Sequence, residues 1–596
     1  MTSVIRGLTS VVGLPVTSAL LIKATLRFIA PVYGNFLASQ HVLKFSGVAI
    51  GTGMALSYFL TPKPTLPGAS GTFHWTHAWA LSLAALLIGT DPFIMHALFP
   101  MSQTWGPTTG PILTMTPTFL AIFGIGYALA GGMDLMAIVR VSFAFFFTGT
   151  SVIELFMGAI ETYAREKWNI RTCTFEGLIL PYLFKNFGGA PPVVAAATPN
   201  APVVVKEKKE DKNSGKAGAA AAGGKATTAK TVTTLRPAAL GWKNYAHAVM
   251  LALTIATVFW TEQGGVRQCL VGVYPSANAT SHYKVLDRAD SNTGYVTVFE
   301  DPTQFGGVRM MRCDHSVLGG VFTGHHNNSV YGSFYFLEFV RYIERKKEVE
   351  RPRALQIGLG IGVTAKTLST HNVAIDIVEL DPKVYEFAKK YFDCPPGDNH
   401  YIGDGRHFLD FEADDETYDW VLHDVFTGGV VPGSLFSVEA LTSVKRVLKK
   451  DGVLALNFVG QLNGTGTEAV VNTIKTVFPH LQAYHEKPPA GYPPERISNV
   501  VFFASSAPIK FRPPTQQDFK EAPTGVMYSR MLENFSSYRL KDEEVAGMIP
   551  TELPEGVNRT VIRDGSNPLA GMQVGNAVIH WEIMRELFPQ EMWVEV

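Results

Sequence analysis

Cysteine is scarce. The 596-residue chain has four, Cys173, Cys269, Cys313 and Cys394, none in a C-x-x-C. This spacing excludes a cysteine zinc site and a dense disulfide scaffold, so buried free thiols are expected, the alternative being a Cys269–Cys313 pair in an oxidising compartment. The pairs His325-His326 and Asp414-Asp415 lack metal-ligand context and read as a loop and a solvated turn, so no metal is expected. Net charge is absent as well, with 51 basic residues against 51 acidic ones. With no basic-aromatic pattern, nucleic acid is not an expected partner. Internal repeats are missing, which excludes a solenoid. No serine-histidine-acid arrangement can be argued from spacing.

Acidic residues are missing from the first 90 positions, and the stretches 45–61, 73–90 and 92–133 carry no Asp, Glu, Lys or Arg. Residues 135–160 are apolar but for Arg140 and Glu154. A bilayer span needs about 20 mostly apolar residues. So many such stretches in succession predict a polytopic membrane region over 1–187, with a helix around 112–132 and a lipid bilayer as partner. Residues 188–240 are rich in Ala, Gly and Pro around a charged run, which predicts a flexible linker. The uncharged run 244–261 predicts a further membrane-associated helix within 241–262. Arg165, Lys167 and Arg171 on one side of the linker, with Lys230, Arg236 and Lys243 on the other, place it in the cytosol. If 244–261 spans, the remainder lies across the membrane, where sequons at Asn278, Asn327, Asn463, Asn534 and Asn558 permit glycosylation. A remainder on the cytosolic side is the expectation adopted.

The densest information lies at 354–458. ALQIGLGIG (354–362), AIDIVE (374–379), IGDG (402–405), YDWVLHD (418–424) and VLALNF (453–458) are short apolar runs, most of them ending in glycine or a carboxylate. Strands alternating with helical patterns imply βαβ units and a parallel sheet, whose ligands bind at the carboxyl ends of the strands. Gly358, Gly360 and Gly362 suit a tight turn with close backbone approach, and Glu379 follows at a spacing that suits ribose hydroxyls. Position 363 is Val, so the dinucleotide pattern G-x-G-x-x-G is not met. His423 is expected on the opposite face from Asp424, because successive strand residues alternate.

GLGIG, VELD (378–381), GDG (403–405) and YDWVLHD together resemble the spermidine synthase (polyamine aminopropyltransferase) family, within the class I S-adenosylmethionine methyltransferase fold. The resemblance covers 281–505. HYKVL (282–286), YVTVFE (295–300) and VRMMRCD (308–314) look like that family's small N-terminal β-sheet, and VIRDGSNPL (561–569) is similar to its membrane-fused members. It implies that the glycines and Glu379 hold the ribose side of a sulfonium nucleoside, that Asp404 and Gly405 meet the adenine, and that Asp424 is the general base. A base is needed because an amine nucleophile with a pKa of about 10 is protonated at neutral pH.

Three positions depart from the family pattern. Ile361 stands where the family has an amine-gripping aspartate, and Thr427 where it has a second one. Tyr283-Lys284 replaces a Tyr-Gln pair and adds charge where a cation would sit. Two transfers therefore compete: aminopropyl from decarboxylated S-adenosylmethionine, ranked first on family shape, and methyl from S-adenosylmethionine. A third reading is a non-catalytic membrane sensor or transporter of polyamines or adenosyl compounds. Tyr331 and Glu338 lie on an aromatic helical stretch, read as core packing. The expected plan is multi-domain: an α-helical transmembrane region, the linker, a small β domain (265–350), an α/β Rossmann-like catalytic domain (351–508) and a C-terminal extension packed on it (509–596). An amine or other acceptor is the small-molecule partner, with a homodimer left open.

Overall fold

The computed structural model describes residues 29, 32–60, 104–129, 282–304, 306–345, 349–426, 428–485, 496–521, 526–548, 559–589 and 592–593. The N-terminal portion contributes α1 (Asn35–Leu60), α2 (Gly106–Thr114) and α3 (Thr116–Leu129). The single helix expected around 112–132 is instead this α2–α3 pair, bent by 53°. Pro117 explains the break: it lacks an N–H and fits best in a helix's first turn, so a new helix starts at Thr116. Among the described residues no single helix is long and apolar enough to cross a membrane, although α2 and α3 together pass that test by length and composition. The helices expected at 73–90, 135–160 and 244–261, and the linker, lie outside the described residues.

Five strands form an antiparallel sheet in sequence order: β1 (Lys284–Asp290), β2 (Tyr295–Asp301), β3 (Val308–Cys313), β4 (Ser316–Phe322) and β5 (His325–Ser329). His325-His326 therefore starts a strand rather than a loop, Phe322 pairing with His325 and Val321 with Ser329. Lys284 extends into solvent, 3.6 Å from Glu300 on the paired strand. The aromatic stretch Gly332–Tyr342 is a 3-10 helix, with Phe336, Phe339 and Tyr342 fully buried. Core packing is its role, as expected.

The second sheet holds seven strands in the order β11-β12-β10-β9-β6-β7-β8. These are β6 (Arg353–Ile357), β7 (Ala374–Glu379), β8 (Asn399–Ile402), β9 (Tyr418–His423), β10 (Leu448–Gly460), β11 (His480–His485) and β12 (Ser498–Ser505). Pairs among β6–β10 are parallel, and β12 is antiparallel to both neighbours. Helices α4 (Val363–Thr370), α5 (Pro382–Phe392), α6 (Val438–Val447) and α7 (Thr465–Val477) make the connections. Their sequences carry the start signals. Ser437 caps α6 by accepting from Ala440 N at 3.2 Å, with Glu439 in the first turn and Lys445 and Arg446 in the last, each charge opposing the helix dipole.

All six residues of β9 are buried, which is why it reads as a nearly unbroken apolar run. Trp420 and Leu422 pack in one cluster and Val421 in another, on alternate faces. Asp419 interrupts the run and is fully buried, but Arg345, Lys449 (2.8 Å) and the Arg353 N–H (2.7 Å) neutralise it. Several short helices follow, then α8 (Val574–Leu587). The segment around 562–564 lies along α6 and α7: Val438 N donates to Ile562 O, and Ile562 N to Thr473 Oγ1, both at 2.9 Å. The C-terminal extension thus packs on the catalytic region.

Candidate active site

Strand order reverses between β6 and β9, and there the carboxyl ends open a crevice. Gly358 follows β6 and Asp424 follows β9. A Cβ on Gly358 would lie 2.0 Å from the Asp424 carbonyl oxygen, and its φ is +80°, so only glycine fits the turn. Gly360 has φ +56° but meets only Leu318 O, at 3.2 Å, leaving its backbone approachable. Gly362, in the left-handed region, starts α4.

Glu379, at the end of β7, is 7% exposed. One carboxylate oxygen accepts from Leu359 N in the glycine turn at 2.8 Å, the other from Asp381 N at 2.9 Å. The carboxylate therefore links turn and strand end. Burial pushes its pKa up to about 7, against the pull of these N–H donors. The folded chain holds this proton up to about 7 and the unfolded chain releases it near 4.5, so the folded state binds more protons between those values. Its contribution to stability then falls as pH rises through the window. Tm of Glu379→Gln should decline less than that of the parent between about pH 5 and pH 7. Parallel curves would overturn the assigned shift.

Asp424 is half-buried, and its carboxylate accepts from Asn457 Nδ2 on β10 at 2.8 Å. Desolvation raises its pKa above the usual carboxylate range, moderated by Asn457. Its main-chain N donates to Ile357 O at 2.8 Å, tying it to β6. The neighbouring His423 is fully buried, edge-on to Phe436 at 4.9 Å, and burial lowers its pKa to about 4. It stays neutral in the core.

Asp404 and Gly405 follow β8. Asp404 is exposed and accepts from Arg406 N at 2.8 Å, while Gly405 is buried, a Cβ there meeting Ile357 at 2.7 Å. Arg406 bonds Asp410 at 2.7 Å and Asp564 at 3.0 Å, so the 561–569 segment reaches this rim. Ile361 is 3% exposed and roofed by Gly319 of β4, where a Cβ would lie 2.8 Å from its side chain. Thr427 lies outside the described residues.

Two contributors were not assigned roles from sequence. Asn457 orients Asp424; its signal was a lone amide inside an apolar strand. Asp381 is fully buried and caps α5 through Lys383 N at 2.8 Å. It also accepts from Ser291 Oγ and, at 2.9 and 2.7 Å, from Thr293 N and Oγ1. It therefore clamps the β1–β2 turn of the small sheet beside Glu379. Cys313 and Cys394 are free and buried, and Cys173 and Cys269 lie outside the described residues. No grouping with metal-binding capacity exists among the described residues.

The pattern of the Spermine/spermidine synthase domain matches residues 342–493. The chain is 34% identical over 333 residues to the N-terminal histidine N-methyltransferase of Emericella nidulans, covering 53% of this chain and 58% of that protein. It is 36% identical over 110 residues to the polyamine aminopropyltransferase of Vibrio vulnificus, covering 18% and 37%. The chain thus spans less than two thirds of the length of either of these curated relatives. Among solved structures, spermidine synthase from Thermotoga maritima aligns over 44% of this chain and 87% of its own at 19% identity, with a TM-score of 0.34. The sheet order and the matched pattern together give a spermidine-synthase-like, class I methyltransferase-type fold, and the named curated relatives are transferases.

Proposed function

We propose that this chain transfers a methyl group from S-adenosylmethionine to a nitrogen acceptor of the histidine class, with Asp424 as the base. The observation that carries the reading is Ile361: a buried apolar side chain under Gly319 in the glycine turn. An aminopropyl donor carries a cationic amine, whose desolvation needs a carboxylate partner, and this turn provides none. The 34% identity to an N-terminal histidine N-methyltransferase supports the same choice.

The residues fit the cofactor. The open backbone at Gly360 admits it, Glu379 has carboxylate oxygens for its ribose, and the Asp404–Gly405 corner lies at the next strand end. Bound there, S-adenosylmethionine supplies a methyl carbon on a positively charged sulfur. The acceptor nitrogen forms the N–C bond as the S–C bond breaks, releasing S-adenosylhomocysteine. Asp424 takes the N–H proton, held in place by Asn457. The raised pKa of Asp424 makes it a stronger base than a solvated aspartate. Bilayer attachment of residues 1–187 belongs to the same proposal.

Aminopropyl transfer is the second reading, favoured by the Spermine/spermidine synthase pattern at 342–493. The full-length chain is to be incubated with a peptide beginning in histidine plus S-adenosylmethionine, and separately with putrescine plus decarboxylated S-adenosylmethionine. A peptide mass gain of one methyl group, with stoichiometric S-adenosylhomocysteine, is expected from the first and no product from the second. Product only from the second would replace methyl by aminopropyl transfer. Equal methylation of a peptide beginning in alanine would remove the histidine class.

A further inference from the structure

Behind the loop that follows Asp424 lie two cationic side chains, one buried and one half-buried. Arg312, at the end of β3, is 2% exposed, and Arg585 projects from α8. Their guanidinium carbons are 5.6 and 4.7 Å from the centre of the same Trp593 ring. Arg312 Nη1 donates to Asp314 O at 2.8 Å and Arg585 Nη2 to Val32 O at 3.1 Å. The remaining buried donors, Arg312 Nε, Arg585 Nε and Nη1, and Trp593 Nε1, have no acceptor among the described residues. Neither arginine forms an ion pair among the described residues. The Asp314 carboxylate, which Arg312 senses, accepts from the Tyr295 amide at 2.9 Å instead.

Such an arrangement is costly. Burial and the presence of the other guanidinium lower the pKa of Arg585 to about 9, and burial lowers that of Arg312 to about 10. A buried charge is retained when something pairs with it, and fork-shaped guanidiniums match planar or tetrahedral oxyanions. We propose that Arg312, Arg585 and Trp593 bound an oxyanion site that takes a carboxylate or phosphate group.

The site touches the catalytic loop from the side away from the cofactor turn. Val425 faces Gly358, whereas a Cβ on Gly428 would meet His315 at 3.4 Å and Phe426 stacks edge-on to His580 at 5.3 Å. His315 and His580 adjoin each other at 5.5 Å, and His315 senses both arginines.

Thermal unfolding of the full-length chain, titrated with inorganic phosphate against sodium chloride of equal ionic strength, tests the proposal. At ten times its Kd, phosphate is expected to raise Tm by about 2–4 °C. Arg585→Met, which keeps the apolar stem, should abolish the rise, and Trp593→Phe, which removes the indole N–H and shrinks the ring between the guanidiniums, should weaken it. No rise in the parent would overturn the proposal, as would a rise unchanged in Arg585→Met.

Discussion

Replacing Asp424 by asparagine is expected to lower kcat by about 10²–10⁴-fold, with cofactor affinity within about threefold of the parent. The substitution is nearly isosteric, and its amide oxygen still accepts from Asn457, which meets the carboxylate at 2.8 Å. The fold should therefore persist, and the loss isolates proton removal. Because desolvation raises the Asp424 pKa, kcat/KM in the parent should climb with pH above the ordinary carboxylate range as this base ionises. That limb should be absent in the variant, where only ionisation of the acceptor nitrogen remains. Single-turnover rates across pH provide the check. A variant with the parent's rate and pH profile would remove Asp424 from catalysis and leave it as a tie between β6 and β9.

Gly358→Ala should be the most damaging small substitution in the glycine turn. The added Cβ would meet main-chain atoms, Asp424 O at 2.0 Å and Asp424 C at 2.8 Å, on a backbone with φ +80°. The left-handed conformation alone costs about 1–2 kcal/mol. Two hydrogen-bonded strand ends cannot move aside as a side chain would, so the total loss should exceed about 3 kcal/mol. Gly360→Ala is the control: it has a positive φ too, but only Leu318 O at 3.2 Å, so about 1–2 kcal/mol is expected. Urea midpoints for the two variants decide. Equal losses would mean that backbone φ, and not the contact with Asp424, governs the turn.

The catalytic half was legible because its determinants are local. β6, β7, β9 and the 453–460 part of β10 are mostly apolar runs buried on both faces, and Gly358, Glu379 and Asp424 mark strand ends. What was not legible depends on distant partners. Glycines at 319 and 320 disguise β4, whose place is set by pairing with β3 and by Ile361. Lys284 was read by position in a motif, but cross-strand pairing turned it towards Glu300. The bend at Met115 was written in Pro117, a local signal passed over for the length of the apolar run. Asp381 was quoted within VELD, yet its clamp on Ser291 and Thr293 bridges about ninety positions, a link no local pattern carries. The Arg312–Trp593–Arg585 group joins β3 to the C-terminal stretch 585–593 for the same reason.

The boundaries of sequence similarity are not boundaries of folding. The matched stretch 342–493 stops before β12, which is paired along its length with β10 and β11. Cut there, residues 453–460 of β10 would present an apolar, unpaired edge, the kind of surface that templates aggregation. The cut at its other end would remove the Ser291 and Thr293 donors and leave the buried Asp381 carboxylate without them. A soluble fragment for domain grafting should therefore begin before β1 and run past the 562–564 segment that seals α6 and α7.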